Sequence, residues 1–213
     1  MKDMDSLLAQ VLAFRPNRLV PPFDLQGHIP FVAWLVKELQ PATFVQLGTQ
    51  SGNLYFAACQ TVAENSLPTR CWAVGTWQAE ELAQRHSVQQ EAGASDYNRQ
   101  HFGAFSGLLR MGDAQALPRF APGSIDLLLI DGRYSPETVR NEYESWRDRL
   151  SDHAVVLLVG IEQADSGAAA LWQQLQPQYP HLAFAHAQGL GVLAVGGNVP
   201  KAFQANADRK SVV

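Results

Sequence analysis

The sequence predicts an α/β fold built on a mostly parallel, doubly wound sheet. Five short apolar or β-branched runs follow one another at intervals long enough for crossover helices: TFVQL (43–47), CWAV (71–74), GLLRM (107–111), IDLLLI (125–130) and AVVLLV (154–159). This alternation is typical of parallel sheets that helices cover on both faces. Two further runs, HLAFAH (181–186) and LGVLAVG (190–196), are separated by only a few residues, which predicts a terminal hairpin.

The composition is that of a single globular domain. The chain has 213 residues, of which 46% are apolar and 17% charged, and its net charge is -4. Its 16 Lys and Arg residues are scattered, which argues against a nucleic-acid partner. The longest apolar run is far shorter than the roughly 20 residues of a membrane-spanning helix, and residues 1–13 lack a secretion signal. Cys59 and Cys71 match no metal or redox spacing. We therefore expect a cytoplasmic protein.

The chain divides into three parts. Residues 1–26 combine a lead-in helix, whose leucines and valine share one face, with a proline-containing extended linker. Residues 27–197 carry all the strand signals and form the domain. Residues 198–213 are a polar tail, which marks either a frayed end or a point of truncation.

Helix signals occur before and between the strand runs. In GHIPFVAWLVKELQP (27–41), Pro30 suits a first helical turn and apolar residues follow at helical spacing. In SPETVRNEYESWRDRL (135–150), Ser135 is suited to cap the helix. Further helices are predicted at 78–90, 114–117 and 168–176.

The turn after the first strand, FVQLGTQSG (44–52), is a candidate ligand loop. Glycines there let backbone amides approach an anion at the start of the next helix. The spacing of Gly48 and Gly52 matches neither the dinucleotide nor the P-loop fingerprint, so it favours neither NAD nor ATP. Two interpretations remain open at this point: a ligand-binding loop, or a tight turn without a ligand.

The chain resembles a class I S-adenosylmethionine-dependent methyltransferase. It is most similar to a bacterial group found beside or fused to glycosyltransferases of surface-polysaccharide synthesis and related to sugar and macrolide O-methyltransferases. The resemblance covers roughly residues 27–197, and the matching segments, in order, are GHIPFVAWLVKELQP, FVQLGTQSGNLYFAACQ, TRCWAVGTWQ, GSIDLLLIDGRYSPETVRNEYESWRDRLS, VVLL and YPHLAFAHAQGLGVLAVG. It implies a Rossmann-like sheet of seven strands with an antiparallel last strand, and a methyl donor across the tips of strands 1, 2 and 4.

The resemblance also implies the donor-binding residues. They are Gln46, Gly48, Thr49, Gly52, Gly75, Trp77 and Asp113. Two of them depart from the family pattern, because Gln46 and Gly75 stand where the family carries carboxylates for the donor's ammonium and ribose. The missing ribose partner would weaken binding by about 1–3 kcal/mol. Glu80 and Glu81 lie close behind but suit a solvated helix start.

Two donor-site residues have equally good structural interpretations. Asp113 is placed to meet the adenine amino group, or it caps the short helix at 114–117. Trp77 stacks near adenine, or it is buried against the helix at 78–90.

Asp131 and Tyr134 are the candidate catalytic residues. The family pattern IDG-x-H reads IDGRY here, and the His-Asp pair that usually ends strand 5 is replaced by Val159 and Gly160. We predict no metal, because a lone Asp131 is too few ligands for Mg²⁺. Tyr134, with a reference pKa near 10, is a weak base, and the acids Glu162 and Asp165 after strand 5 are alternatives.

Two functions follow from these residues. One is an O-methyltransferase with a reduced donor site, acting on a small-molecule hydroxyl, which the resemblance suggests is that of a sugar. The other is a methyltransferase-fold domain without catalysis, serving as a scaffold or homo-oligomerising module beside a glycosyltransferase. An NAD-linked dehydrogenase is disfavoured, since no ribose-binding acid ends strand 2.

Overall fold

The fold is a single seven-stranded sheet with helices on both faces. It is seen in a computed structural model that describes residues 13–49, 51–75, 86–131 and 134–198. The strand order is β3-β2-β1-β4-β5-β7-β6. The strands are β1 Thr43–Leu47, β2 Arg70–Gly75, β3 Ser106–Arg110, β4 Ile125–Asp131, β5 Leu150–Val159, β6 His181–Phe184 and β7 Leu190–Ala194.

All neighbours pair in parallel except those of β7, which is antiparallel to both β5 and β6. The predicted antiparallel last strand and terminal hairpin are therefore confirmed. The α-helices of the described residues are α1 Ile29–Leu39, which precedes β1, and α2 Asn53–Glu64, α3 His86–His101, α4 Asp113–Ala116, α5 Pro136–Arg147 and α6 Gly167–Leu175, which follow it.

The sheet separates two apolar cores. Along β1, Phe44 faces the core that contains α1 and α2, whereas Val45 and Leu47 face the core that contains α5 and α6. The central strand β4 is buried on both faces, which explains why its sequence is a continuous apolar run. The two cysteines, Cys59 and Cys71, are free and buried in the first core.

Two serine side chains cap the N-termini of α5 and α6. Ser135 accepts a hydrogen bond from the Thr138 backbone N–H, as the sequence predicted, and Ser166 accepts one from the Ala169 N–H. Both bonds satisfy a backbone donor that a helix start otherwise leaves unpaired.

The predicted helix at 78–90 is wrong at its carboxyl end, because α3 continues to His101. Among residues 93–101, the part of α3 whose side chains the structure describes, the buried ones are Ala94 and Asn98, so no apolar stripe marks this part of the helix in the sequence. Residues 76–85 lie outside the described ranges, as does the lead-in helix before residue 13.

No helix in the described part of the chain is long and apolar enough to span a bilayer.

The close packing of β7 against α6 gives a stability test. A methyl group on Gly191 would overlap the indole ring of Trp172, whereas one on Gly93 of α3 would meet no atom within 4 Å. We expect Gly191→Ala to lower the free energy of unfolding by about 1–3 kcal/mol through overpacking. The same change at Gly93 should raise it by about 0.5–1 kcal/mol, because alanine favours a helix. Urea unfolding measures both; equal effects would contradict the packing described here.

Candidate functional site

The candidate site lies at the carboxyl-terminal edge of the sheet, where β1 turns into α2. Gly48 has φ 73° and Gly52 has φ 75°, a left-handed conformation that glycine adopts without strain. The Gly48 N–H donates to the Val74 carbonyl at 3.1 Å, and the Gly52 N–H donates to the Thr49 carbonyl at 2.7 Å. The loop is thus anchored to β2 at its start and closed as a turn before α2.

The two predicted catalytic residues lie directly against this loop. A methyl group built on Gly48 would come within 3.0 Å of Asp131 Cβ and 3.7 Å of Tyr134 Cε2. Asp131 ends β4 and is 3% exposed, whereas Tyr134 is 45% exposed. The structure therefore brings Gly48, Asp131 and Tyr134 together, and a side chain at position 48 would displace Asp131.

Two polar atoms of the loop region are buried without a partner. Gln46 Oε1 and Thr49 Oγ1 find no hydrogen-bond partner among the described residues, although both side chains are 4% exposed. The Gln46 side-chain nitrogen makes only a long hydrogen bond, 3.4 Å, to the Gly48 carbonyl. Unsatisfied buried acceptors are costly in a folded protein, and a bound donor group would relieve that cost.

A pair of carboxyl groups lies beside this site. Asp113 and Glu142 hydrogen-bond each other, and burial raises the pKa of both. The pKa of Glu142 rises to about 8, chiefly by burial and then by the negative charges of Asp113 and Asp131. Near neutral pH the Glu142 carboxyl therefore keeps its proton and donates it to Asp113.

The alternative interpretation of Asp113 as a helix cap is wrong. Gly112 occupies the N-cap position, and α4 begins at Asp113 itself. Because the Asp113 carboxyl is directed to Glu142, it does not close the helix end.

The other candidate residues from the sequence lie at the end of β2, beside the hairpin loop or outside the described residues. Gly75 ends β2 opposite Arg110 of β3. Glu162 is exposed and contacts the hairpin loop at Gly189. Trp77, Glu80 and Glu81 lie outside the described residues. Among the described residues no group of three or more His, Cys, Asp or Glu side chains could hold a metal ion.

Sequence reasoning missed Glu142. It lies on the face of α5 next to the buried Tyr143 and Trp146, in a helix whose other acids are exposed. No residue pattern distinguishes it from those acids. Only the approach of α5 to α4 reveals the pairing.

Comparison with known proteins identifies the fold and the family. A family described as "Methyltransferase domain" matches residues 45–158, which include the end of β1, the glycine loop and Asp131. An uncharacterized protein of Sinorhizobium fredii, y4gI, is 36% identical over 197 residues. That similarity covers 92% of this chain but 22% of the relative, so the chain spans less than a quarter of its length.

Solved structures share the fold at low sequence identity. An S-adenosylhomocysteine-bound methyltransferase of Podospora anserina, PaMTH1, aligns with TM-score 0.58 and 14% identity over 89% of this chain and 87% of its own. The O-methyltransferase TomG of Streptomyces achromogenes, solved with S-adenosylmethionine, aligns with TM-score 0.55 and 13% identity over 92% of each chain. A methyltransferase of Geobacter sulfurreducens gives TM-score 0.58 and 15% identity over 91% and 89%.

The raised pKa of Glu142 makes stability depend on pH. The pKa of an unfolded glutamate is about 4.3. Between that pH and about pH 8, the folded state therefore binds one more proton at Glu142 than the unfolded state does. That contribution is complete below the unfolded pKa and is lost as the pH rises through the folded pKa. Because glutamine does not titrate, we expect the free energy of unfolding of Glu142→Gln to rise relative to that of the wild type by about 1–2 kcal/mol as the pH increases from 5 to 9. This figure allows for the partial solvent exposure of Glu142.

Thermal unfolding across this pH range measures the difference. Glu144→Gln, at an exposed position of the same helix, serves as the control. Its difference in stability from the wild type should stay constant across the pH range. A constant difference for Glu142→Gln as well would show that its carboxyl is not protonated at neutral pH.

Proposed function

The chain belongs to the methyltransferase domain family, and from that premise we propose that it binds S-adenosylmethionine at the β1–α2 loop and methylates a hydroxyl group of a small molecule. The observation that carries the proposal is the contact between Gly48 and Asp131, which leaves a side-chain-free backbone beside a buried carboxylate. A cationic ligand fits there, because a carboxylate and backbone groups can meet it at close range.

The unpartnered atoms of the loop fit the donor as well. Gln46 Oε1 and Thr49 Oγ1 are acceptors without a described donor, and the amino-acid part of S-adenosylmethionine carries an ammonium group that can donate to them. Gly48 and Gly52 keep the loop free of side chains. Asp113, beyond β3, and Gly75, at the tip of β2, complete the set of residues that we assign to the donor, with Trp77 as a further candidate.

The residues of the chain then have two tasks. S-adenosylmethionine, when bound, supplies a methyl group that its sulfonium centre has already activated. The protein must hold the acceptor oxygen in line with that methyl carbon and take up the hydroxyl proton. Asp131 can accept the proton, and Tyr134, which is exposed beside Gly48, can orient the acceptor through its phenol. No residue here is proposed to bind a metal.

A sugar is the acceptor that we propose. The support is the resemblance of the chain to domains found with glycosyltransferases and to sugar O-methyltransferases. The curated relative is several times longer than this chain, which is compatible with a methyltransferase domain joined to further domains, a glycosyltransferase among them. We propose a cytoplasmic location on the same grounds.

One observation favours a second candidate, a methyltransferase-fold domain without catalysis that serves as a scaffold or oligomerising module. The site has Gln46 and Gly75 in place of two carboxylates, and Glu142 is neutral at physiological pH. A donor with two positive charges is therefore held by fewer negative groups than its chemistry favours.

Calorimetric titration with S-adenosylmethionine separates the two candidates. The enzyme should bind it with a dissociation constant in the micromolar range, whereas a scaffold should give no heat at millimolar donor. We expect Gly48→Val to weaken binding at least about tenfold, because its side chain would displace Asp131 and strain the loop.

Gly123→Val is the matched control. Gly123 has a similarly left-handed φ of 67°, but it precedes β4 at the opposite edge of the sheet and has no atom within 4 Å of an added methyl group. This variant should bind the donor as the wild type does. Equal loss in both variants would place the donor elsewhere.

Restoring the missing carboxylate should strengthen the site. We expect Gly75→Glu to tighten S-adenosylmethionine binding by about ten- to a hundredfold, since a carboxylate would accept from the ribose hydroxyls. Gly75→Gln has the same size but no charge and should gain much less. Both constants come from calorimetry; equal gains, or none, would show that the tip of β2 does not face the ribose.

A further inference from the structure

Residues 15–24, here called the N-terminal strap, are bound to α2 by two buried amide side chains. Gln60 accepts a hydrogen bond from the Asn17 backbone N–H at 2.8 Å and donates one to the Arg15 carbonyl at 2.9 Å. The bonds pair backbone groups of the strap, so this extended part of the chain is fixed against α2.

The second amide fixes the strap at the glycine loop itself. Asn53, the residue after Gly52, accepts from the Val20 N–H at 3.1 Å and donates to the carbonyls of Val20 at 2.7 Å and Pro22 at 3.3 Å. Both amides are 4% exposed, and a separation of two helical turns puts them on one side of α2. The strap therefore follows α2 to the edge of the sheet where the loop lies.

Arg18 joins the strap to the loop. Its Nη1 donates to the Ser51 carbonyl at 2.7 Å, and Nη1 would lie 3.7 Å from a methyl group on Gly52. The guanidinium stacks over two rings, at 4.8 Å from the centre of Phe56 and 5.6 Å from that of Tyr97. The loop thus lies against Asp131 at Gly48 and is hydrogen-bonded to Arg18 at Ser51.

Burying a guanidinium at this position is energetically unfavourable if the side chain serves only to pack against its neighbours. Burial lowers the pKa of Arg18, which records the unfavourable desolvation of its charge. An apolar side chain between the rings of Phe56 and Tyr97 would avoid that cost. An apolar side chain would lack the cation–π contacts with the two rings and the hydrogen bond to Ser51, and of these the hydrogen bond acts on the loop.

We propose that Arg18 is a positioning residue of the donor site, which holds the Ser51 carbonyl and so keeps the glycine loop in the conformation that binds S-adenosylmethionine. The inference rests on the proposed function, because it assigns Arg18 to the same loop. Arg18 acts through Ser51 and is not itself a catalytic residue. A loop displaced by about 1 Å would lose much of its alignment with the donor.

Arg18→Met tests this role, because methionine keeps an unbranched stem between the two rings and removes the donor to Ser51. Calorimetry with S-adenosylmethionine should show a dissociation constant raised by about tenfold, as expected for one lost charge-assisted hydrogen bond. The number of binding sites per chain should stay the same. A purely structural role would instead reduce the number of sites, through unfolding, and leave the dissociation constant of the folded fraction unchanged.

Two further variants make the result decisive. Arg15→Met, in the same strap but with an exposed side chain whose Nη1 donates to the adjacent Phe14 carbonyl, should bind the donor like the wild type. Arg18→Lys keeps a charged donor and should recover part of the affinity; it also replaces Arg18→Met if that variant does not fold.

The outcomes separate this inference from the proposed function. Wild-type binding with an unchanged dissociation constant in both Arg18 variants would overturn the positioning role and leave the proposed function standing. Absence of binding in the wild type would overturn both. The positioning role of Arg18 would be established by a higher dissociation constant for Arg18→Met, a partly recovered affinity for Arg18→Lys and an unchanged dissociation constant for Arg15→Met.

Discussion

The site depends on one contact, that between the Gly48 backbone, directly after β1, and the Asp131 side chain at the end of β4. Parallel pairing of β1 with β4 places Leu47 opposite Ile130, so Gly48 and Asp131 lie side by side at the sheet edge. A Cβ atom at position 48 would come within 3.0 Å of Asp131 Cβ, so a residue larger than glycine would force the Asp131 side chain to shift. The sheet register thus creates a place where backbone and negative charge lie side by side, and the rest of the site is arranged around it.

The negative charge of the site is concentrated in few groups. Gln46 and Gly75 carry none, and Glu142 holds its proton up to about pH 8 because burial and the neighbouring acids oppose its ionisation. The buried Asp131 is the carboxylate in contact with the loop. In the donor site that we propose, shape and backbone hydrogen bonds would therefore contribute more to ligand binding than ion pairs, so the conformation of the loop would be decisive. The contacts of the loop with Asp131 and Arg18 would then matter for function.

The sequence predicted the fold well because the strands are short apolar runs that a parallel sheet buries on both faces. The resemblance placed a methyl donor across the tips of strands 1, 2 and 4, and the structure brings Gly48, Asp131 and Tyr134 together at that edge of the sheet. It failed for α3, whose inward side chains include Ala94 and Asn98 and give no apolar stripe. Glu142 and Arg18 could not be found from sequence, because each acts through a partner that only the packing of distant segments brings near.

A crystal structure of the chain with S-adenosylhomocysteine, the product that remains after methyl transfer, would locate the donor site directly. We expect the ligand over the Gly48 to Gly52 loop, with its amino group near Gln46 and the Arg18 to Ser51 hydrogen bond intact. Ligand density elsewhere on the molecule, or a loop rebuilt without that hydrogen bond, would contradict this expectation.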